Sequence, residues 1–87
     1  MQENEKKLSN IVAKILVDIR KSHNKSLNLF CNEYSIPTST LNNLELSKTS
    51  IKLYTLIKIL RAYNYSLVDF VSEIESALPE NFLMPEE

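Results

Sequence analysis

The chain has 87 residues, 44% of them hydrophobic; that length supports one domain with a single modest core and excludes anything larger. The single cysteine, Cys31, cannot make an internal disulfide, the apolar runs are far shorter than a membrane span, and MQENEKKLSN lacks the apolar segment of a secretory leader, so a soluble cytoplasmic protein with no membrane partner is expected. The net charge of −1 hides a polarity: through Asn64 all ten Lys and Arg face five acids, giving +5, whereas from Tyr65 onward six acids stand without a base, giving −6.

Periodicity predicts only helices. Leu8, Ile11, Val12, Ile15, Leu16 and Ile19 follow amphipathic spacing in a first helix that stops around Ser22 to Asn24, where asparagine suits a left-handed C′ position. Ser26 is placed to cap a second helix whose apolar face is Leu27, Phe30, Cys31 and Tyr34, and the chain then turns at Ser35-Ile36. Pro37 suits the first turn of a third helix, which buries Leu41 and Leu44 and turns Thr38, Ser39, Asn42 and Asn43 outward. Thr49 or Ser50 is expected to cap a fourth helix, marked by Leu53, Leu56, Ile57 and Leu60 and stopped by Asn64. Ser66 caps a fifth, which carries Leu67, Phe70, Val71 and Ile74 and sets Asp69 near its positive end.

No glycine is present to supply positive φ. Asn24, Ser35, Ser47 and Asn64 occupy the places where the chain needs it; asparagine tolerates that region and serine does so poorly. Without glycine there is no phosphate cradle of the glycine-rich kind, and His23 has no neighbour at a ligand spacing. Glu73 and Glu75 point in different directions on a helix, and no serine has an identifiable base partner. The pattern therefore predicts no enzyme, no metal and no cofactor, with Cys31 a small buried hydrophobe.

The stretch from Ile15 to Phe70 resembles the lambda repressor-like, or XRE-type, helix-turn-helix family of DNA-binding proteins, with no insertion or deletion needed to align its landmarks. Cys31 falls at the family's small buried position in helix two, Ser35 at the glycine of the turn and Ile36 at the buried aliphatic residue after it. Leu41 and Leu44 match the inward residues of the recognition helix, and Glu45, Ser47 and Lys48 match a common glutamate, glycine and basic residue. Asn64, Tyr65, Ser66 and Leu67 resemble the passage into the last helix. Leu27 and Thr38 depart from the glutamine and the arginine or glutamine often found at their positions.

The resemblance implies an all-α, compact five-helix domain and a transcriptional regulator, a repressor by operator occupancy, bound to double-stranded DNA as a homodimer. It assigns base reading to Thr38, Ser39, Asn42 and Asn43 and phosphate contact to Lys48 and Thr49, with Lys25, Ser26 and Asn28 approaching the backbone at the start of helix two. Independent chemistry agrees, because asparagine pairs with adenine in bidentate fashion and serine or threonine can bond several base edges, which favours an A·T-containing site. The third helix has no Lys or Arg, so phosphate attraction falls to Lys48, Lys25, Lys21, Lys52, Lys6 and Lys7. The alternative is a protein-interaction module on the same scaffold that sequesters a regulator or toxin.

Residues 1–76 are expected to form the domain with an N-terminal extension, and residues 77–87 a tail that either frays or lies against a surface through Phe82, Leu83 and Met84. Tyr54, Tyr63, Tyr65, Val68, Val71 and Ile74 divide between the core, where Val71 is expected, and a subunit contact.

Overall fold

A computed structural model describes residues 2–24 and 26–83; Lys25 and Met84 lie outside the described residues. Five helices follow one another: α1 (Glu3–Ser22), α2 (Leu27–Tyr34), α3 (Thr38–Glu45), α4 (Leu53–Ala62) and α5 (Leu67–Ala77). There is no strand among the described residues, and no helix among them is long and apolar enough to cross a membrane.

The helix ends follow from local chemistry. Asn24, Ser35, Ser47 and Asn64 take φ values of 55°, 56°, 59° and 56°, so all four expected positions carry the left-handed backbone; Leu83, at 59°, was not anticipated. The Ser26 hydroxyl accepts from Leu29 N at 3.1 Å and the Ser66 hydroxyl from Asp69 N at 3.3 Å, each satisfying an amide that a helix start leaves open. Pro37 sits one position earlier than expected, as the N-cap of α3, and its carbonyl accepts from Thr40 N and Leu41 N. Neither Thr49 nor Ser50 caps α4. That place is taken by Lys52, with no side-chain cap, since α4 begins only at Leu53, and the Ser50 hydroxyl donates instead to Glu5 of α1 at 2.7 Å.

α1 is the long element against which α3 and α5 pack, and α2 packs on α3. Leu16, Phe30, Leu41, Ile59 and Phe70 are fully buried, one from each helix, and they make a single core. Phe30 stacks on Tyr63 with centroids 4.0 Å apart and planes 8° from parallel. This stack decides the orientation of α4. Its inward residues are Leu56, Ile59, Leu60 and Tyr63, a face turned by about 60° from the expected one at 100° per residue. Leu53, at 66% exposure, and Ile57 consequently point outward beside Tyr54. On α5 only Phe70 is buried, with Ile74 packed at the margin; Val71 is 49% exposed and Leu67 and Val68 are exposed with it, so Val71 is not a core residue. Tyr34 likewise lies at the surface, its ring 5.0 Å from that of Phe30. Phe82 is half-buried beyond α5, where its amide bonds the Pro79 carbonyl.

Candidate nucleic-acid interface

The α2–α3 junction is a tight turn closed by Ile36 N bonding the Cys31 carbonyl at 3.0 Å, with Ser35 left-handed and Ile36 buried beneath it. α3 leaves this turn with Leu41 and Leu44 buried. The helical period then sets Ser39, Asn42 and Asn43 on the opposite side, with Thr38 at a margin.

Thr38, Ser39 and Asn42 are exposed, as predicted. Asn43 is half-buried and lines a groove of about 320 Å³ with Thr40, Thr49, Lys52 and Thr55. Thr38 leans toward α2, where its hydroxyl meets the Cys31 thiol; burial raises the thiol pKa and this contact opposes the rise. The described residues thus bring Ser39 and Asn42 together on the open face, with Thr38 and Asn43 turned toward its edges. Leu46, the C-cap of α3, is 54% exposed and was not singled out from sequence, where a leucine in an apolar series carries no sign of facing water.

Two groups flank the helix. Ser26 and Asn28 are exposed at the N-terminus of α2, where unpaired amides suit an anion; Lys25 falls outside the described residues. Lys48 and Thr49 are exposed in the loop after α3, and Lys48 N bonds the Asn43 carbonyl at 2.9 Å, tying the loop to the last turn. Lys7 pairs with Glu3 across one turn at 3.9 Å, and the Lys6 ammonium donates to the Ser47 carbonyl, so these two cations are engaged with the protein itself.

The C-terminal end of α3 is fixed by an ion pair. Arg20 Nε donates to Glu45 Oε2 at 2.8 Å and Arg20 Nη2 to Glu45 Oε1 at 2.9 Å, a bidentate fork with side-chain exposures of 16% and 7%. The bond to Glu45 pushes the Arg20 pKa up against the opposing effect of burial, so the guanidinium stays charged. Tyr63 lies in the same field; burial pushes its pKa up, and its buried hydroxyl has no hydrogen-bond partner among the described residues. The spacing of Arg20 and Glu45 in sequence gave no sign of this pairing, although Glu45 itself was matched in the resemblance.

Two short helices joined by a left-handed turn, the second held from behind and polar in front, define a helix-turn-helix protein. The helix-turn-helix family matches residues 16–70, more than half of the chain, and the protein belongs to that family. The matched span coincides, but for one residue, with the stretch that carries the lambda repressor-like resemblance, and the five-helix order is consistent with that fold. Comparison with curated proteins found no match, and comparison with solved structures found none. Residues 3–15 of α1 lie before the matched span.

Proposed function

We propose that the protein is a cytoplasmic, non-catalytic DNA-binding regulator that represses by occupying a specific operator as a homodimer. The observation that carries this reading is the pose of α3: Ser39 and Asn42 stand outward on a helix whose back is anchored by Leu41, Leu44 and the Glu45–Arg20 fork. Asn42 supplies bidentate recognition of adenine, Ser39 an adaptable hydroxyl, and Leu46 an apolar surface for a thymine methyl. Ser26, Asn28, Lys48 and Thr49 position the duplex by its phosphates.

Dimerisation is supported by the outward apolar residues of α4 and α5. Ile57 and Leu67 line a groove of about 500 Å³ together with Arg61 and Tyr65, and Tyr54, at 77% exposure, and Val68 stand exposed on the same two helices. Lys58 and Arg61 on α4 stand opposite in sign to Asp69 and Glu73 on α5, so a two-fold contact can pair each basic edge with the acidic edge of a second copy. Two such subunits read half-sites about one helical turn apart.

Selection from randomised duplex DNA at about 0.1–0.15 M salt tests the reading. Enrichment of a short palindromic site is expected. On that site Asn42→Ala should reduce discrimination by about 1–3 kcal/mol, while Lys48→Ala weakens binding to all sequences alike. A protein-interaction module is favoured by one observation, the absence of any Lys or Arg on α3. It predicts no enrichment and partner binding that changes little with salt.

A further inference from the structure

The loop between α3 and α4 is held from an unexpected direction. Glu5, Leu8, Ser9 and Val12 recur at the spacing of one helical face, and this face of α1 meets the loop. The Ser50 hydroxyl donates to Glu5 Oε2 at 2.7 Å, the Ser47 hydroxyl to the Ser9 carbonyl at 3.4 Å, and the Lys6 ammonium to the Ser47 carbonyl. Glu5 is itself steadied by Gln2 N, 3.4 Å from Oε1, and the two bonds hold its pKa below the usual carboxylate value, that from Ser50 more strongly. Between α1 and the loop lies a cavity of about 80 Å³ walled by Leu8, Val12, Leu44 and Ile51. Apolar packing is therefore incomplete where the loop meets α1, and polar bonds carry its placement.

These bonds bracket Lys48 and Thr49, the two residues assigned to a DNA phosphate. Their holders come from residues 5–9, before the span matched to the helix-turn-helix family. We propose that Glu5 and Lys6 are positioning residues, which clamp the Ser47–Ser50 loop in the shape that presents Lys48 and Thr49 to the phosphate backbone. This inference rests on the DNA-binding reading. It adds that affinity depends on an acidic residue whose charge alone would repel DNA.

The opposed signs make the test decisive. Binding of the full chain to a mixed-sequence duplex is measured between about 0.05 and 0.2 M salt, with thermal melting recorded in parallel. Glu5→Gln keeps an acceptor for Ser50 and removes the charge, so its affinity should equal or exceed that of the unaltered chain. Glu5→Ala and Ser50→Ala should each bind about three- to tenfold more weakly, with a salt slope shallower by up to about 0.9, the value of one phosphate contact. In a background already carrying Lys48→Ala and Thr49→Ala, Glu5→Ala should cause no further loss of affinity. Tightening by Glu5→Ala as well as Glu5→Gln would overturn the clamp and leave Glu5 a bulk charge. Unchanged affinity in Glu5→Ala, or an equal loss in both backgrounds, would also overturn it, the latter assigning the effect to general stability. If the unaltered chain fails to bind duplex DNA at any of these salt concentrations, the functional reading falls and the clamp with it, an outcome visible without any variant.

Discussion

Removing the Glu45 carboxylate should cost far more than removing a surface charge. Both partners are largely out of water, with side-chain exposures of 16% for Arg20 and 7% for Glu45, and both oxygens are used, at 2.8 and 2.9 Å. An exposed pair contributes about 0.2–1 kcal/mol, whereas deleting one member of a buried pair costs about 3–5 kcal/mol, because the remaining charge stays desolvated. A domain of this size has a total stability of about 4–13 kcal/mol, so Glu45→Ala should lose about a quarter of it or more, with a fall in Tm on the order of 15–30 °C. Urea unfolding followed by circular dichroism measures the loss as a shift of midpoint at constant m. The double replacement Arg20→Met, Glu45→Leu should recover most of the loss, since an apolar pair of similar volume needs no compensation. The reasoning fails if Glu45→Ala costs less than about 1 kcal/mol, the range of an exposed pair, or if the double variant is no more stable than the single one.

The other expectations concern the turns and the titrating groups. Ser35→Gly should stabilise the chain by about 0.5–1 kcal/mol, the relief of a left-handed residue less the added chain entropy, and Ser47→Gly by less, because it surrenders the hydroxyl bond to the Ser9 carbonyl; a lowered urea midpoint for Ser35→Gly would contradict the account. Cys31 is buried and its thiol pKa is raised, chiefly by burial, so a maleimide should label it slowly at neutral pH and rapidly in denaturant; fast native labelling would show that the α2–α3 junction opens. The Tyr65 hydroxyl donates to Glu73 Oε2 at 2.5 Å, and this bond pushes its pKa up to about 12. Because the folded chain then holds that proton more tightly than the unfolded one, the contribution is complete below about pH 10 and is lost as pH rises through about 12. An ultraviolet tyrosinate titration of Tyr65→Phe should lack that late step, and an unchanged titration would remove the bond from the account.

What was legible in the sequence was local, and what was hidden was brought together by the fold. With no glycine to use, the chain had to place something else at each helix end, and Asn24, Ser35, Ser47 and Asn64 could be found because stop signals recur beside periodic segments. α3 was legible in both faces for the same reason: Leu41 and Leu44 define its back, and a short helix leaves little choice about its front. α4 was not. Leu53, Leu56, Ile57, Ile59, Leu60 and Tyr63 form an apolar stripe wide enough to admit two orientations, and the stack of Tyr63 on Phe30, a contact across 33 positions of sequence, belongs to only one of them. Ser50 looked like a cap because caps are read from neighbours, whereas its partner Glu5 lies 45 residues away. The polar residues of α3 escaped this limit only in part, since the contact of Thr38 with Cys31 and the groove that takes in Asn43 are both tertiary.

The neutral recognition helix gives these long-range contacts a functional weight. When a recognition helix carries its own Lys or Arg, part of the phosphate attraction travels with the residues that read bases. Here α3 contributes no cation, so under the proposed DNA-binding function discrimination is assigned to Ser39, Asn42 and Leu46 and attraction to flanking groups such as Lys48, which are exposed. The two properties are then open to separate change. A substitution at Asn42 can alter the preferred site without altering the salt response, and one at Lys48 can do the reverse. Because Lys48 stands on a loop tied to Asn43 at one end and to α1 at the other, the proposed clamp makes affinity answer to the geometry of α1, an element to which the proposal assigns no base reading.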